Sequence, residues 1–391
     1  MELSELRLLL AAVRRLRGGA VDLAEVDGAV QARLGRNLAG ACRTLVRWAD
    51  ESLADRRAAD AFVRFHGLGQ MPERRAAIAA TLRTLDDALE LTRAAVRTGA
   101  KAAPELLGLL RDAVARLPPS LASADLVAGV LSQHTIVARE AGRIDGLQSG
   151  GDALSLGIEA ISLLRPRTGS IDPVRSRDAS RLLTFALRAA QELAELADTL
   201  GMLDTARRAL RQMPPLLEHK EPEERRLWQQ QYRQTAASVL RHTAQSSPRP
   251  ARWLDAADRA AEASYQLAMT TDTPAGTVLA AANQRTSVAL TRLRSTDASV
   301  TSARYRRRLA LARRRADEAL ALTELVDGND RPHRSAVLGA YRRRWELAQL
   351  AGDHDELADA RAATLDRVGA WTPPTQLAKL DRLDQRSAKH P

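Results

Sequence analysis

The sequence predicts an all-α chain built of stacked helical hairpins, on three observations. The 391 residues are rich in Ala, Leu, Arg and Glu, all strong helix formers, while Phe, Tyr and Trp together make up 3%. A sheet would need β-branched and aromatic runs, and none of useful length occurs. Breakers divide the chain into helix-length pieces whose apolar residues recur at helical spacing. Two turns of one type join helix pairs, Leu200 to Ala206 and Ala351 to Leu357. In each, an amphipathic helix stops at a glycine (Gly201, Gly352) and another starts two or three residues later under acidic or polar residues.

In chain order, breaks fall at Gly18-Gly19, Gly67 to Pro72, Thr98-Gly99, Pro118-Pro119 and Gly146 to Gly151, the last read as a glycine-rich loop. The longest interruption, Arg165 to Pro173, is the expected domain boundary. It separates an N-terminal helical region (1–165) and a linker (166–178) from a hairpin region (179–384) and a frayed polar tail (385–391). Later breaks come at Pro214-Pro215, Ser246 to Pro250, Thr273-Pro274, Asp327 to Pro332 and Pro373-Pro374. They leave hairpins at roughly 179–212, 223–269, 276–322 and 334–368. Leu183, Leu187, Ala190, Ala194 and Ala197 form one buried stripe, and Leu338, Tyr341, Trp345 and Ala348 another. Small residues on such stripes let helices approach closely.

Residues 187–213 and 338–368 resemble degenerate tetratricopeptide repeats. Leu193-Ala194 stands where that family has a Leu-small pair, Gly201 takes the turn, and Asp204 and Ala206 open the second helix. In the second segment Tyr341 matches the early aromatic, and Gly352 to Glu356 forms the turn. Arg344 and Leu357 depart from the pattern, which favours Leu and Ala there, and the closing Pro is absent or early. The resemblance implies an α-solenoid that binds peptides or protein segments in a groove. Residues 1–165 match no such pattern.

Of 59 basic residues only four are Lys, and the net charge of +11 is uneven. Residues 1–200 carry 27 basic and 25 acidic side chains, residues 201–391 carry 32 and 23, and the window 301–350 holds 12 Arg against 6 acids. Such a field favours acidic partners and, less strongly, nucleic acid. Cys42 is the single cysteine, so no internal disulfide forms and a reducing, cytoplasmic setting is expected. The acidic, polar opening does not read as a signal peptide, and no uncharged apolar run is long enough to span a membrane.

No motif points to catalysis, a cofactor or a metal. Asp86-Asp87-Ala88-Leu89-Glu90 is similar to the aspartate-rich motif of isoprenoid synthases, but a second acidic motif and aromatic lining are missing, so it reads as a solvated helix face. The seven histidines lack zinc-binding spacing, and His354 reads as a turn residue beside Asp353 and Asp355. Nucleophile elbow, phosphate loop and dinucleotide fingerprint are all absent from the sequence. A helix-turn-helix over 22–47 would have an apolar reading helix, so helical packing is the better account of it.

The remaining candidates are arginines. Arg304, Arg307, Arg308, Arg314 and Arg315 lie on a helix whose buried stripe is Tyr305, Leu309, Ala312, Ala316 and Leu320. Arg343 and Arg344 lie on a later one, with Arg343 expected opposite Tyr341 and Trp345. The expectation is a non-catalytic, protein-binding scaffold in which these seven arginines attract an acidic or extended partner segment. The alternative is the sensor part of a transcriptional regulator, working with DNA or a DNA-binding partner.

Overall fold

The structure is a computed structural model; it describes residue 43 and residues 72–97, 103–115, 121–164, 173–270, 273–295, 302–326 and 331–369. These form twelve α-helices, with no strand among the described residues. The candidate helix-turn-helix, apart from Arg43, and Cys42 lie outside the described residues, as do Pro373-Pro374 and the tail. The chain divides into two compact units, Met1–Lys220 and Glu221–Pro391. The expected linker 166–178 is in part helical, because α5 already starts at Pro173.

The first unit contains α1 (Pro72–Arg97), α2 (Ala103–Val114), α3 (Leu121–Glu140), α4 (Gly146–Leu164), α5 (Pro173–Thr199) and α6 (Leu203–Leu217). α3, α4 and α5 pack on one another, α1 and α2 rest on α3, and α6 folds back on α5. The stripe on α5 is buried as its spacing predicts: Leu183, Leu187, Ala190, Ala194 and Ala197 are all fully shielded. The run Gly146 to Gly151 is helical rather than a loop. Close approach explains why. A methyl at Gly157 would overlap Ala186 of α5, and one at Gly150 would stand 3.0 Å from Leu193 and 3.1 Å from Thr135. The glycines of α4 thus admit α3 and α5, and that packing outweighs their poor helix propensity. Likewise Pro214-Pro215 does not end α6. Met213, Leu216 and Leu217 around it are buried, and only the last turn lacks the missing donors.

The second unit contains α7 (Pro222–Gln245), α8 (Pro250–Thr270), α9 (Ala275–Arg294), α10 (Ala303–Thr323), α11 (Arg331–Ala351) and α12 (His354–Val368). Each helix packs on its chain neighbour, and α9 also touches α7 and α11. The four hairpins expected from the sequence are therefore α5/α6, α7/α8, α9/α10 and α11/α12. Fourteen of the twenty residues of α9 are buried, so this helix has no broad solvent face. Its hydroxyls turn back on the helix: Thr286, Ser287 and Thr291 donate to the carbonyls of Ala282, Asn283 and Ser287. On α10, Tyr305 is buried and its hydroxyl donates to the Leu350 carbonyl at 2.7 Å, tying α10 to the end of α11.

The two turns singled out in the sequence share one geometry. Gly201 and Gly352 have φ of +73° and +70°. In each, the residue after the glycine donates to the carbonyl five positions back, Met202 to Ala197 and Asp353 to Ala348. This is the Schellman closure, which needs a residue free to enter the left-handed region. The turn between α3 and α4 repeats it, with Gly142 at φ +64° and Arg143 donating to Ala138. Asp353 caps α12 as expected, accepting from the Glu356 amide at 3.0 Å. At the other turn, Asp204 lies in the first turn of α6 and pairs with Arg207, while the cap position is Met202.

Among the described residues, no helix is long and apolar enough to cross a membrane, and no group of three or more His, Cys, Asp or Glu side chains could hold a metal ion.

Candidate functional site

The second unit contains a cleft of about 690 Å³ bounded by α7, α9 and α11. Its wall carries five arginines, Arg241 of α7, Arg294 of α9, and Arg334, Arg342 and Arg343 of α11, against one carboxylate, Glu346. Five guanidinium groups against one carboxylate leave an excess of four positive charges, leaving His242 aside.

The cleft follows from two polar stripes. Along α11, Ser335, Gly339, Arg342 and Glu346 recur every three or four residues and so share a face. Along α9, Ser287, Thr291 and Arg294 do the same. The two faces meet with small residues between long ones, which opens a cavity instead of a sealed contact. Glu346, itself buried, accepts from Arg342 at 2.8 Å on one oxygen and from Arg294 at 3.1 Å on the other. It fixes both guanidinium groups and cancels part of their charge. On α7, Arg241 Nη2 and His242 Nε2 lie 2.7 Å apart.

Arg343 sits deepest. Its Nε donates to Ser287 Oγ and its Nη1 to the Gly339 carbonyl, both at 2.6 Å. Burial, with Arg241 and Arg342 nearby, lowers its pKa to about 10, against the opposing pull of Glu346. It remains charged at neutral pH.

This corrects the placement expected for two candidates. Arg343 does not point away from the core. It turns under α9, because Gly339, four residues earlier, leaves space for its guanidinium. Arg315 is likewise buried, at 7% exposure, and bonds Asp258 at 2.6 Å. It belongs to a network in which Arg285, lying over the Tyr265 ring at 4.1 Å, pairs with Glu262 and Glu318 at 2.9 and 3.0 Å. Residue 315 is flanked on the helix by Ala312, Ala316 and Ala319, all buried, so it faces inward with them. These two arginines are structural members of the fold, and Arg315 lies outside the cleft.

The other candidates do not converge on one site. Arg304 and Arg307 are exposed on α10. Arg308 is half-buried and reaches the Arg292 carbonyl at 3.4 Å. Exposed Arg314 lies 3.7 Å from Glu318, and Arg344 bonds Asp317 at 3.1 Å. Of the seven, only Arg343 lines the cleft. Arg241, Arg294, Arg334 and Arg342 complete it. Arg294 and Arg342 stand on the polar stripes of α9 and α11, and Arg342 also belongs to the run Arg342 to Arg344, while Arg241 of α7 lies on neither stripe.

A second constellation lies in the first unit. His134 Nδ1 is 2.8 Å from Ser149 Oγ, and His134 Nε2 is 3.7 Å from Asp145. The residue types are those of a hydrolytic triad. Ser149 is buried, however, and the adjoining cavity of about 200 Å³ is lined by His134 and Asp145 but not by Ser149. A nucleophile must reach its substrate, so the contact acts as a joint between α3 and α4. Burial is the largest influence on the imidazole pKa and lowers it; Arg111 and Arg143 add to this while Asp145 opposes. Nor does Asp86, of the aspartate-rich run, face open solvent. It and buried Asp125 pair with Arg181 of α5, at 2.5 and 3.2 Å.

No family model matches this sequence, and no curated protein matches it. A solved structure described as a "circular tandem repeat protein with novel repeat topology and enhanced subunit contact surfaces" is 15% identical, with 98% of this chain and 91% of that chain covered, at a TM-score of 0.32.

Proposed function

We propose that this protein is a non-catalytic interaction module that holds an acidic segment of a partner protein in the basic cleft of its second unit. The observation that carries this reading is the five arginines set against a single carboxylate around a cavity of about 690 Å³. Guanidinium groups are suited to bidentate pairing with carboxylate or phosphate, and a walled cleft strengthens each pair relative to open water. The resemblance of residues 187–213 and 338–368 to tetratricopeptide repeats supports the same reading, since arrays of that kind receive extended segments. The single cysteine in the sequence supports a reducing, cytoplasmic setting.

The test is fluorescence anisotropy with two degenerate peptide pools, one rich in Asp and Glu and one rich in Lys, at low and at physiological ionic strength. The acidic pool should bind, should weaken as salt rises, and should be lost when Arg294 and Arg342 are both changed to Glu. Equal binding of both pools, or no effect of salt, would refute the reading.

A further inference from the structure

We propose that the inner end of the cleft is a phosphoryl-group site, so that the acidic feature selected on a partner segment is a phosphorylated side chain. The inference rests on the reading of the cleft as an anion-binding groove and names the anion.

The guanidinium groups come from three helices: Arg241 from α7, Arg294 from α9, and Arg334, Arg342 and Arg343 from α11. A carboxylate is planar and presents two oxygens whose lone pairs lie in one plane. A phosphoryl group presents three terminal oxygens in a tetrahedral array and accepts from several forks approaching from different sides.

Glu346, the one carboxylate among the described residues that line the wall, is already engaged by Arg294 and Arg342, and five guanidinium groups line the same wall. One carboxylate would offset a single charge. A phosphoryl monoester carries close to two at neutral pH, concentrated at one point.

Arg343 is pinned through Nε and Nη1, and its Nη2 makes no hydrogen bond to the described residues. Its side chain lines the cleft. A donor held in place before the ligand arrives loses little conformational freedom on binding. The Ser335 hydroxyl stands in the same wall and supplies a further donor, whereas those of Ser287 and Thr291 are spent on the α9 backbone. Nucleic acid is the less favoured bearer of such a group, since among the described residues no Phe, Tyr or Trp lines the cleft to stack on a base.

The experiment uses the full chain and three probes: a labelled degenerate peptide pool with phosphoserine at its centre, the same pool with glutamate there, and inorganic pyrophosphate as competitor. The phosphoserine pool should bind about tenfold more tightly than the glutamate pool. Pyrophosphate should displace it, and Arg343→Gln should abolish the preference. Should Arg343→Gln lower the melting temperature, Arg334→Lys supplies the second variant: it keeps the charge, removes the fork and should still reduce the preference for phosphoserine. Equal binding of the two pools would overturn the phosphoryl site and leave the acidic-segment reading standing. Binding of pyrophosphate without either pool would support the phosphoryl site, identify its source as a small free anion, and overturn the partner segment. Binding of none of the three would overturn both.

Discussion

A methyl group on Gly339 would stand 2.6 Å from Nη1 of Arg343, because that guanidinium folds back to donate to the Gly339 carbonyl. The residue that cannot move is the helix backbone; the one that can is the far end of Arg343. Gly339→Ala should therefore push the guanidinium aside without disrupting α11. Alanine favours the helix by about 1 kcal/mol, which offsets part of the cost of the lost hydrogen bonds. The expected outcome is a melting temperature within a few degrees of the parent and an affinity for pyrophosphate reduced about tenfold. A variant that binds as the parent does would remove Arg343 from the recognition of anions.

Trp345, 1% exposed, packs with Ala360 and Leu357 and is the largest fully buried side chain of the second unit. Trp345→Ala should cost about 3–5 kcal/mol, the loss expected when a large core aromatic is removed. Chemical denaturation followed by circular dichroism measures it. A variant that unfolds at the parent's midpoint would contradict the packing of α11 against α12.

Arg315 and Arg307 lie on the same helix and should behave in opposite ways. Arg315→Ala leaves Asp258 and Glu262 short of a partner in a partly buried setting; those carboxylates retain 26% and 38% side-chain exposure, so about 2 kcal/mol is expected rather than the full cost of orphaning a buried charge. Arg307 is exposed, and Arg307→Glu should change stability by no more than about 0.5 kcal/mol. Parallel denaturant titrations would settle both values.

Glu192 gives the first unit a pH dependence. Burial raises its carboxyl from 4.5 to about 7, with Glu195 adding to the rise and Arg139 and Arg188 opposing it. The folded state thus binds this proton more tightly than the unfolded chain. Its contribution to stability is fullest below the unfolded value and declines as pH rises through about 7. Glu192→Gln should remove about 2 kcal/mol of that decline, and Arg139 keeps Glu195 as a partner at 2.9 Å. Melting curves between about pH 5 and pH 8 should slope less for the variant than for the parent. Parallel slopes would show that Glu192 is ionised throughout.

Hairpin boundaries could be read from the sequence because their causes are local: Gly201 and Gly352 close Schellman turns, and Pro222, Pro250 and Pro274 stand at helix starts. Trp345 and the stripe on α5 could be read because periodicity reports a buried face directly. Gly142 closes a turn of the same kind but was obscured by the glycines of α4 that follow it. Those glycines read as loop because their purpose, contact with Ala186, Leu193 and Thr135, lies on other helices. The cleft was hidden for a similar reason. Arginine density along one helix marks a charged segment, whereas the site joins three arginines of α11 to one each from α7 and α9. The direction of Arg343 and Arg315 depended on what α9 and α8 place opposite them, and periodicity alone carries no such information.

The enclosure of α9 bears on how this architecture can change over generations. In a modular array, whole hairpins are gained or lost because each meets only its neighbours through a repeated surface. Here α9 is the shared wall of α7, α8, α10 and α11. Deleting the α9/α10 pair would leave α7, α8 and α11 without the wall they share. The second unit is therefore fixed in its number of helices, and lineages can diverge only by exchanging side chains within it. Where relatives exist, their lengths across 222–368 should vary little, while the arginines around the cleft are free to be retuned.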